Sequence, residues 1–321
     1  MTDGHPPFSL PPAAPFIVIL NGGSGSTGAD ERIALLEAIF QGAGRSVRFQ
    51  TVDNGGELPA IAERACQDAK AQGGAVVAAG GDGTLNAIAQ AAIKHDCVFG
   101  ALPQGTFNYF GRAQGIPQDI EDAAHALLRA RIEPVQVGLV NGRVFLVNAS
   151  LGLYPRLLED REAYKRQLGR SRWVAMVSGV MTLLRERRQL VLDIETGDER
   201  QSLRTPTLFI GNNGLQFERI GLDEDADAIT HGELAAVAVQ PTRTASLFGL
   251  ALRGALGRLG DAEHLRHFAF RRLTVRVHGQ RRLKIATDGE IQWLNSPLVF
   301  EVSPRPLRLL RPLEAHRVDP A

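Results

Sequence analysis

Cysteine is scarce in this chain. Cys66 and Cys97 are the only two among 321 residues, and neither sits in a Cys-x-x-Cys or Cys/His spacing suited to zinc. That excludes a disulfide framework and a structural zinc cage, and it fits a reducing, cytoplasmic setting. A dominant charge is also missing. The formal net charge of +1 gives no global field to draw nucleic acid, so no nucleic-acid partner is expected. No uninterrupted apolar run reaches the roughly 18 residues a spanning helix needs. The opening MTDGHPPFSLPPAAP lacks the basic start and apolar stretch of a signal peptide, and its prolines oppose a helix; residues 1–15 read as a flexible arm.

What is present is the composition of a globular protein, 44% hydrophobic and 22% charged. The length exceeds the roughly 100 to 200 residues of one ordinary domain, so two are expected. From Phe16 short apolar strands alternate with amphipathic stretches: Phe16–Leu20, Asp30–Gln41, Ser46–Thr51, Glu57–Gln72, Ala75–Ala79, Thr84–Lys94 and Val98–Leu102. Asp30 is a candidate helix cap, and Ile33, Leu36, Ile39 and Phe40 make one helical stripe ended by Gly42 and Gly44. Strands joined this way pair in parallel and carry ligand loops at their carboxyl ends.

After a further helical stretch, Asp119–Ala130, the period changes near Ile132. Beyond it, alternating strands and hairpins dominate, as in Leu273–His278. Val135–Val140 and Arg143–Ala149 flank Asn141-Gly142, a type I′ hairpin signature. The predicted fold is therefore an α/β nucleotide-binding domain over 16–131, followed by a β-sandwich-like acceptor domain over 132–304.

Three loops in the first domain bear on phosphate chemistry. Asn21-Gly-Gly-Ser-Gly-Ser-Thr-Gly28 satisfies a dinucleotide-type glycine spacing, though a tight turn would do so equally. Gly80-Gly81-Asp82-Gly83-Thr84 is sharper. It joins a buried strand to a helix containing Leu85 and Ile88. Successive glycines let backbone N–H groups approach anionic oxygens, and the helix start adds partial positive charge. Asp82 can help hold Mg²⁺, and Thr84 can cap the helix or bind phosphate. The third loop, Leu102-Pro-Gln-Gly-Thr-Phe-Asn-Tyr109, should open on the same sheet edge with Thr106 and Asn108 as short polar groups. Phe107, Tyr109 and Phe110 are expected to pack beneath it. Far along the chain, Asp288-Gly289-Glu290 sets two carboxylates around a glycine. It is either a catalytic pair or an Asp-Gly hairpin turn.

In this order and at these separations, GGDGTLN (80–86), LPQGTFN (102–108) and DGE (288–290) resemble the diacylglycerol kinase catalytic family, which includes bacterial lipid kinases and sphingosine kinases. Asn21-Gly-Gly-Ser-Gly25, Phe145–Gly152, Ile210–Gly214 and the ending Val302–Pro312 support the resemblance. It implies an active site in a cleft between the domains, with residues 305–321 returning to the first. It also implies ATP and Mg²⁺ as cofactors, and a lipid or other hydroxyl acceptor resembling diacylglycerol. By the same resemblance Asn21, Ser24, Gly25, Thr51, Gly80, Gly81, Asp82, Gly83, Thr84, Leu85, Asn86 and Thr106 bind the nucleotide. Glu290 is the general base, with Asp288 and Asp82 as supporting or metal-associated carboxylates. These assignments suit phosphoryl transfer, which needs positioning, charge neutralisation and one base.

Departures are visible as well. Ser26 stands where the family often has lysine, and Tyr109 where it often has an acidic residue. His231 occupies the place of an aspartate that holds a structural Mg²⁺; imidazole is a poor ligand for this hard cation, so that second site is predicted absent. The basic, apolar stretch 156–188 is either a peripheral contact with the inner membrane face or a helical packing segment, and Ser246–Leu259 poses the same choice. His264 and His267 read as ordinary surface or packing residues. GGDGT alone also admits an NAD kinase, and the departures admit a nucleotide- or lipid-binding protein with weakened catalysis.

Overall fold

The computed structural model describes residues 9–11, 13–21, 26–105, 107–153, 155, 189–197, 199–219, 221–240 and 265–318. The chain divides into two compact units, Met1–Val137 with Pro304–Ala321, and Gly138–Ser303. The described residues form three six-stranded sheets, one in the first unit and two in the second.

In the first unit, β1 (Phe16–Asn21), β2 (Val47–Val52), β3 (Ala75–Gly80) and β4 (Val98–Pro103) are parallel, in the order β2-β1-β3-β4. Their sequences explain their places. β1, β3 and β4 are almost wholly buried apolar runs, the mark of parallel strands covered on both faces, whereas β2 is half exposed. Three helices connect them: α1 (Ser26–Gly42), α2 (Leu58–Ala71) and α3 (Asp82–His95). On α2 the buried set Leu58, Ala62, Ala65, Cys66 and Ala69 follows helical spacing. α1 begins four residues before the expected Asp30 cap. Asp30 therefore lies inside the helix, where a carboxylate near the amino end still opposes the helix dipole favourably.

After α4 (Tyr109–Ala113) and α5 (Ile120–Leu128), β5 (Arg131–Val135) joins the first sheet at its edge. Its partner is β18 (Leu307–Arg311, counting along the chain), antiparallel to β5 and parallel to β4. The expected strand Val135–Val140 is thus two strands, the second being β6 (Gly138–Val140).

The second unit is a sandwich of two antiparallel sheets. One has the order β10-β9-β14-β17-β6-β7 and the other β13-β12-β11-β8-β15-β16. Its strands are β6, β7 (Arg143–Phe145), β8 (Asn148–Gly152), β9 (Leu190–Thr196), β10 (Glu199–Thr205), β11 (Thr207–Gly211), β12 (Leu234–Val239), β13 (Leu265–Phe270), β14 (Arg272–Val277), β15 (Arg282–Thr287), β16 (Glu290–Asn295) and β17 (Leu298–Val302). Alternate residues of both sheets, among them Leu192, Ile194, Val275 and Phe300 on one and Leu151, Ile210, Ala236 and Ile285 on the other, fill a single core. Short helices α6 (Gly214–Glu218) and α7 (Asp223–Thr230) cover the outer face of the second sheet through Phe217, Leu222, Ala226 and Ile229. Asn141 and Gly142 both take positive φ between β6 and β7, as the type I′ signature requires. No helix among the described residues is long and apolar enough to cross a membrane.

Candidate active site

Parallel pairing brings the carboxyl ends of four strands to one sheet edge. Leu20 is level with Thr51 on one side and with Ala79 on the other, and Gly80 is level with Pro103. The order β2-β1-β3-β4 reverses direction between β1 and β3, the place where open α/β sheets receive ligands. There the Asn21 side-chain amide donates to the Thr84 hydroxyl at 3.3 Å, joining the first two loops. Thr51 is exposed at the end of β2. Ser24, Gly25 and Thr106 lie outside the described residues.

The glycines of the second and third loops are there for lack of room. A Cβ on Gly80 would lie 2.7 Å from the Cβ of Thr84, because the first turn of α3 folds back over the strand end. A Cβ on Gly105 would lie 2.9 Å from the Gly81 Cα, so the two loops touch backbone to backbone. The Gln104 amide donates to the Gly80 carbonyl at 2.8 Å. Asn108, buried and at φ 49°, braces the third loop from within. Its Oδ1 accepts from the Gly105 amide at 2.8 Å, and its Nδ2 donates to the Gly105 carbonyl and to Gln118, each at 2.9 Å. The sequence marks Asn108 only as a short polar group beside Gly105; in the fold it bonds the loop's own backbone and Gln118.

Gly81 caps α3 and the first intrahelical bond runs from the Leu85 amide to the Gly81 carbonyl. The N–H groups of Asp82, Gly83 and Thr84 therefore have no acceptor within the helix. Leu85 is fully buried, so its side chain is core. Asn86 is half-buried. Burial pushes the Asp82 carboxyl above the usual aspartate range, against the pull of the Phe110, Tyr109 and Asn108 amides. Glycine-lined backbone, a helix start and a partly buried carboxylate short of positive charge fit a Mg²⁺-bound triphosphate.

The aromatic residues of the third loop divide. Phe110 is buried and meets Phe99 edge-on, as expected of packing. Phe107 is 46% exposed and stacks on Tyr109 with ring centroids 5.6 Å apart and planes parallel within 1°. The expectation of packing beneath the loop is corrected for this pair: a buried Phe110 and Asn108 leave the ring between them in sequence pointing away from the core.

In the second unit Asp288 and Gly289, at φ 47° and 86°, form the two-residue turn between β15 and β16, with Thr287 paired to Glu290. The Asp288 carboxylate accepts the amides of Leu146, Val147 and Asn148 at 2.7, 2.8 and 3.0 Å. Those amides belong to the crossing from β7 in one sheet to β8 in the other, which divides the expected strand Arg143–Ala149 in two. Glu290 is exposed and has no side-chain partner among the described residues. The Asp288 turn adjoins a buried polar row that sequence reasoning did not rank: Asn148 donates to Gln216 at 3.1 Å, Asn212 donates to the Leu146 carbonyl at 2.9 Å, and Ser150 is wholly enclosed. Amides and hydroxyls inside otherwise apolar strands were the available signal. His231 closes the end of α7, its Nδ1–H donating to the Asp227 carbonyl at 2.7 Å. Among the described residues no three His, Cys, Asp or Glu side chains gather as a metal site.

Residues 15–140 match the diacylglycerol kinase catalytic domain. The match lies within that segment, which carries the diacylglycerol kinase catalytic domain; the residues beyond 140 fall outside it. A "probable lipid kinase YegS-like" of Pseudomonas aeruginosa is 35% identical over 149 residues, 45% of this chain and 48% of that protein. The "diacylglycerol kinase" of Bacillus subtilis is 28% identical over 225 residues, 67% of this chain and 70% of that one. The match thus spans about half the length of the Pseudomonas relative. A solved diacylglycerol kinase structure from Bacillus anthracis superposes with a TM-score of 0.65 at 16% identity, covering 94% of this chain and 98% of its own. That likeness carries the fold: a parallel α/β sheet followed by two antiparallel sheets.

Proposed function

We propose that this chain is an ATP-dependent lipid kinase that transfers the γ-phosphoryl group to a lipid hydroxyl, with a diacylglycerol-like acceptor. The observation that carries the reading is the contact of the Gly80-Gly81 and Gly105 backbones at the strand ends, beside the Asn21 to Thr84 hydrogen bond. It is a surface of backbone donors built for phosphate. ATP with its Mg²⁺ supplies the phosphoryl group and neutralises its charge. The N–H groups at the start of α3 would hold the phosphates, and the Asp82 carboxylate would be available to the cation.

Glu290 takes the proton of the attacking hydroxyl. Its exposure suits exchange of that proton, and Asp288 sets its position by fixing the turn on which Glu290 begins β16. The names of the Pseudomonas and Bacillus relatives support a lipid acceptor over NAD. The test is ATP-dependent labelling of a mixed lipid extract by the native protein and by Glu290→Gln, with the product identified by mass spectrometry. Equal incorporation by both removes Glu290 as the base; phosphorylation of NAD in place of lipid removes the acceptor class.

A further inference from the structure

Trp293 is 52% exposed, the most open large hydrophobic side chain among the described residues. It lies on β16, the edge strand of the second antiparallel sheet. Leu283, Ile285 and Leu294 point into the core, so strand alternation sends Arg282, Lys284 and Trp293 to the opposite face. Register sets Lys284 directly across from Trp293 and Arg282 across from Asn295. The Lys284 ammonium lies 5.2 Å from the indole centroid and the Arg282 guanidinium 5.6 Å. The open part of this hairpin's outward row, Arg282 and Lys284 on β15 with Trp293 and Asn295 on β16, holds two cations, whereas Ala286 in the same row is buried.

An indole with a polar edge, flanked by basic side chains with apolar stems, suits the boundary between hydrocarbon and headgroups. We propose that this hairpin face docks on an anionic phospholipid bilayer, with the Trp293 ring at headgroup depth and Arg282 and Lys284 against lipid phosphates. The charge complementarity is direct. One indole and two stems also fall far short of the roughly 1,200 Å² of a stable protein interface, which favours a lipid surface over a protein partner. The proposal rests on the lipid-kinase reading: Glu290 opens the same strand, three residues or about 10 Å along it from Trp293, on the opposite face. The stretches 156–188 and Ser246–Leu259, also expected as candidates for bilayer contact, lie outside the described residues.

Trp173 is the only other tryptophan, so a Trp173→Phe protein reports on Trp293 alone. Its emission should move to the blue, and the protein should float, with phosphatidylcholine vesicles containing about one third phosphatidylglycerol but not with phosphatidylcholine alone. Trp293→Ala should abolish flotation. Arg282→Gln with Lys284→Gln should weaken partition roughly 30-fold, from the usual contribution of two basic residues near an anionic surface. Circular dichroism should show both variants folded. Unmoved Trp293 emission, flotation by the variants equal to native, or a shift produced by an acidic protein and not by vesicles would each overturn the proposal. Turnover of a short-chain, water-soluble diacylglycerol keeps the two readings apart: its absence in a protein that still docks removes the kinase assignment and leaves the docking surface standing.

Discussion

The Asp288 carboxylate accepts the Leu146 amide at 2.7 Å across 142 residues of sequence. With the Val147 and Asn148 amides, and with the Asp288 amide donating back to the Asn148 carbonyl at 2.9 Å, it fixes the point where the chain leaves one sheet of the sandwich for the other. Replacing Asp288 by Ala strands three backbone donors and puts a Cβ-bearing residue of poor left-handed tendency at φ 47°. We expect a loss of about 3 kcal/mol. Asn keeps one acceptor and tolerates that φ, so Asp288→Asn should cost about 1 kcal/mol. Urea midpoints for the two variants check the order; an unchanged midpoint in Asp288→Ala would remove the structural role.

Gly105→Ala forces a methyl to within 2.9 Å of the Gly81 backbone and 2.7 Å of the Asn108 Oδ1, separating the two phosphate loops. Nucleotide affinity by calorimetry should fall at least about tenfold, because misplaced backbone donors lose charge-assisted bonds. Gly28→Ala is the control. It meets nothing within 4 Å inside α1, so it should leave affinity intact and stabilise the helix by about 0.5 to 1 kcal/mol. Comparable loss in both variants would mean that the first glycine spacing, and not the contact of the second and third loops, carries the nucleotide.

Asp82 gives a pH signature. Burial raises its folded pKa above the unfolded aspartate value, so the folded state holds the proton to higher pH. Stability from this group is present in acid and lost as pH rises through the folded pKa, beyond which an ionised, partly buried carboxylate is a cost. Asp82→Asn should therefore melt higher than native protein at pH 8. The gap should narrow as pH falls toward about 4, near the unfolded aspartate pKa. A gap independent of pH would show that ionisation of Asp82 is not its source.

His231 is spent on capping α7, its Nδ1–H held by the Asp227 carbonyl. Without nucleotide, Mg²⁺ should leave the melting temperature of the protein unchanged. Crystals grown in magnesium that showed an ion ligated beside His231 would contradict this.

Legibility in the sequence followed the range of the interactions. The parallel strands β1, β3 and β4 are uninterrupted apolar runs, and Asn141-Gly142 carries its turn type in two residues, so local chemistry announces both. The division of Arg143–Ala149 between two sheets was hidden, since its cause is Asp288, far along the chain. α1 began earlier than Asp30 suggested because the earlier residues tolerate helix, and no strong breaker separates them from it. The motifs marked the loops at the carboxyl ends of the parallel strands, but the packing of single residues in them came only with the fold. Asn108 holds its own loop, Leu85 fills the core, and Phe107 stacks in the open on Tyr109. Exposure of Trp293 was equally invisible, since alternation along β16 shows which residues share a face but not which face is covered.

β18 fills the place between β4 and β5 in the first sheet, yet it is made only after all of Gly138–Ser303. The second unit is in effect an insertion within the first. A nascent chain that has released β1 to β4 still lacks an interior strand of their sheet, so the first unit is completed last during synthesis. No single cut can separate the units. A stand-alone first unit requires a new linker from Val137 to Pro304, whereas the sandwich can be excised whole.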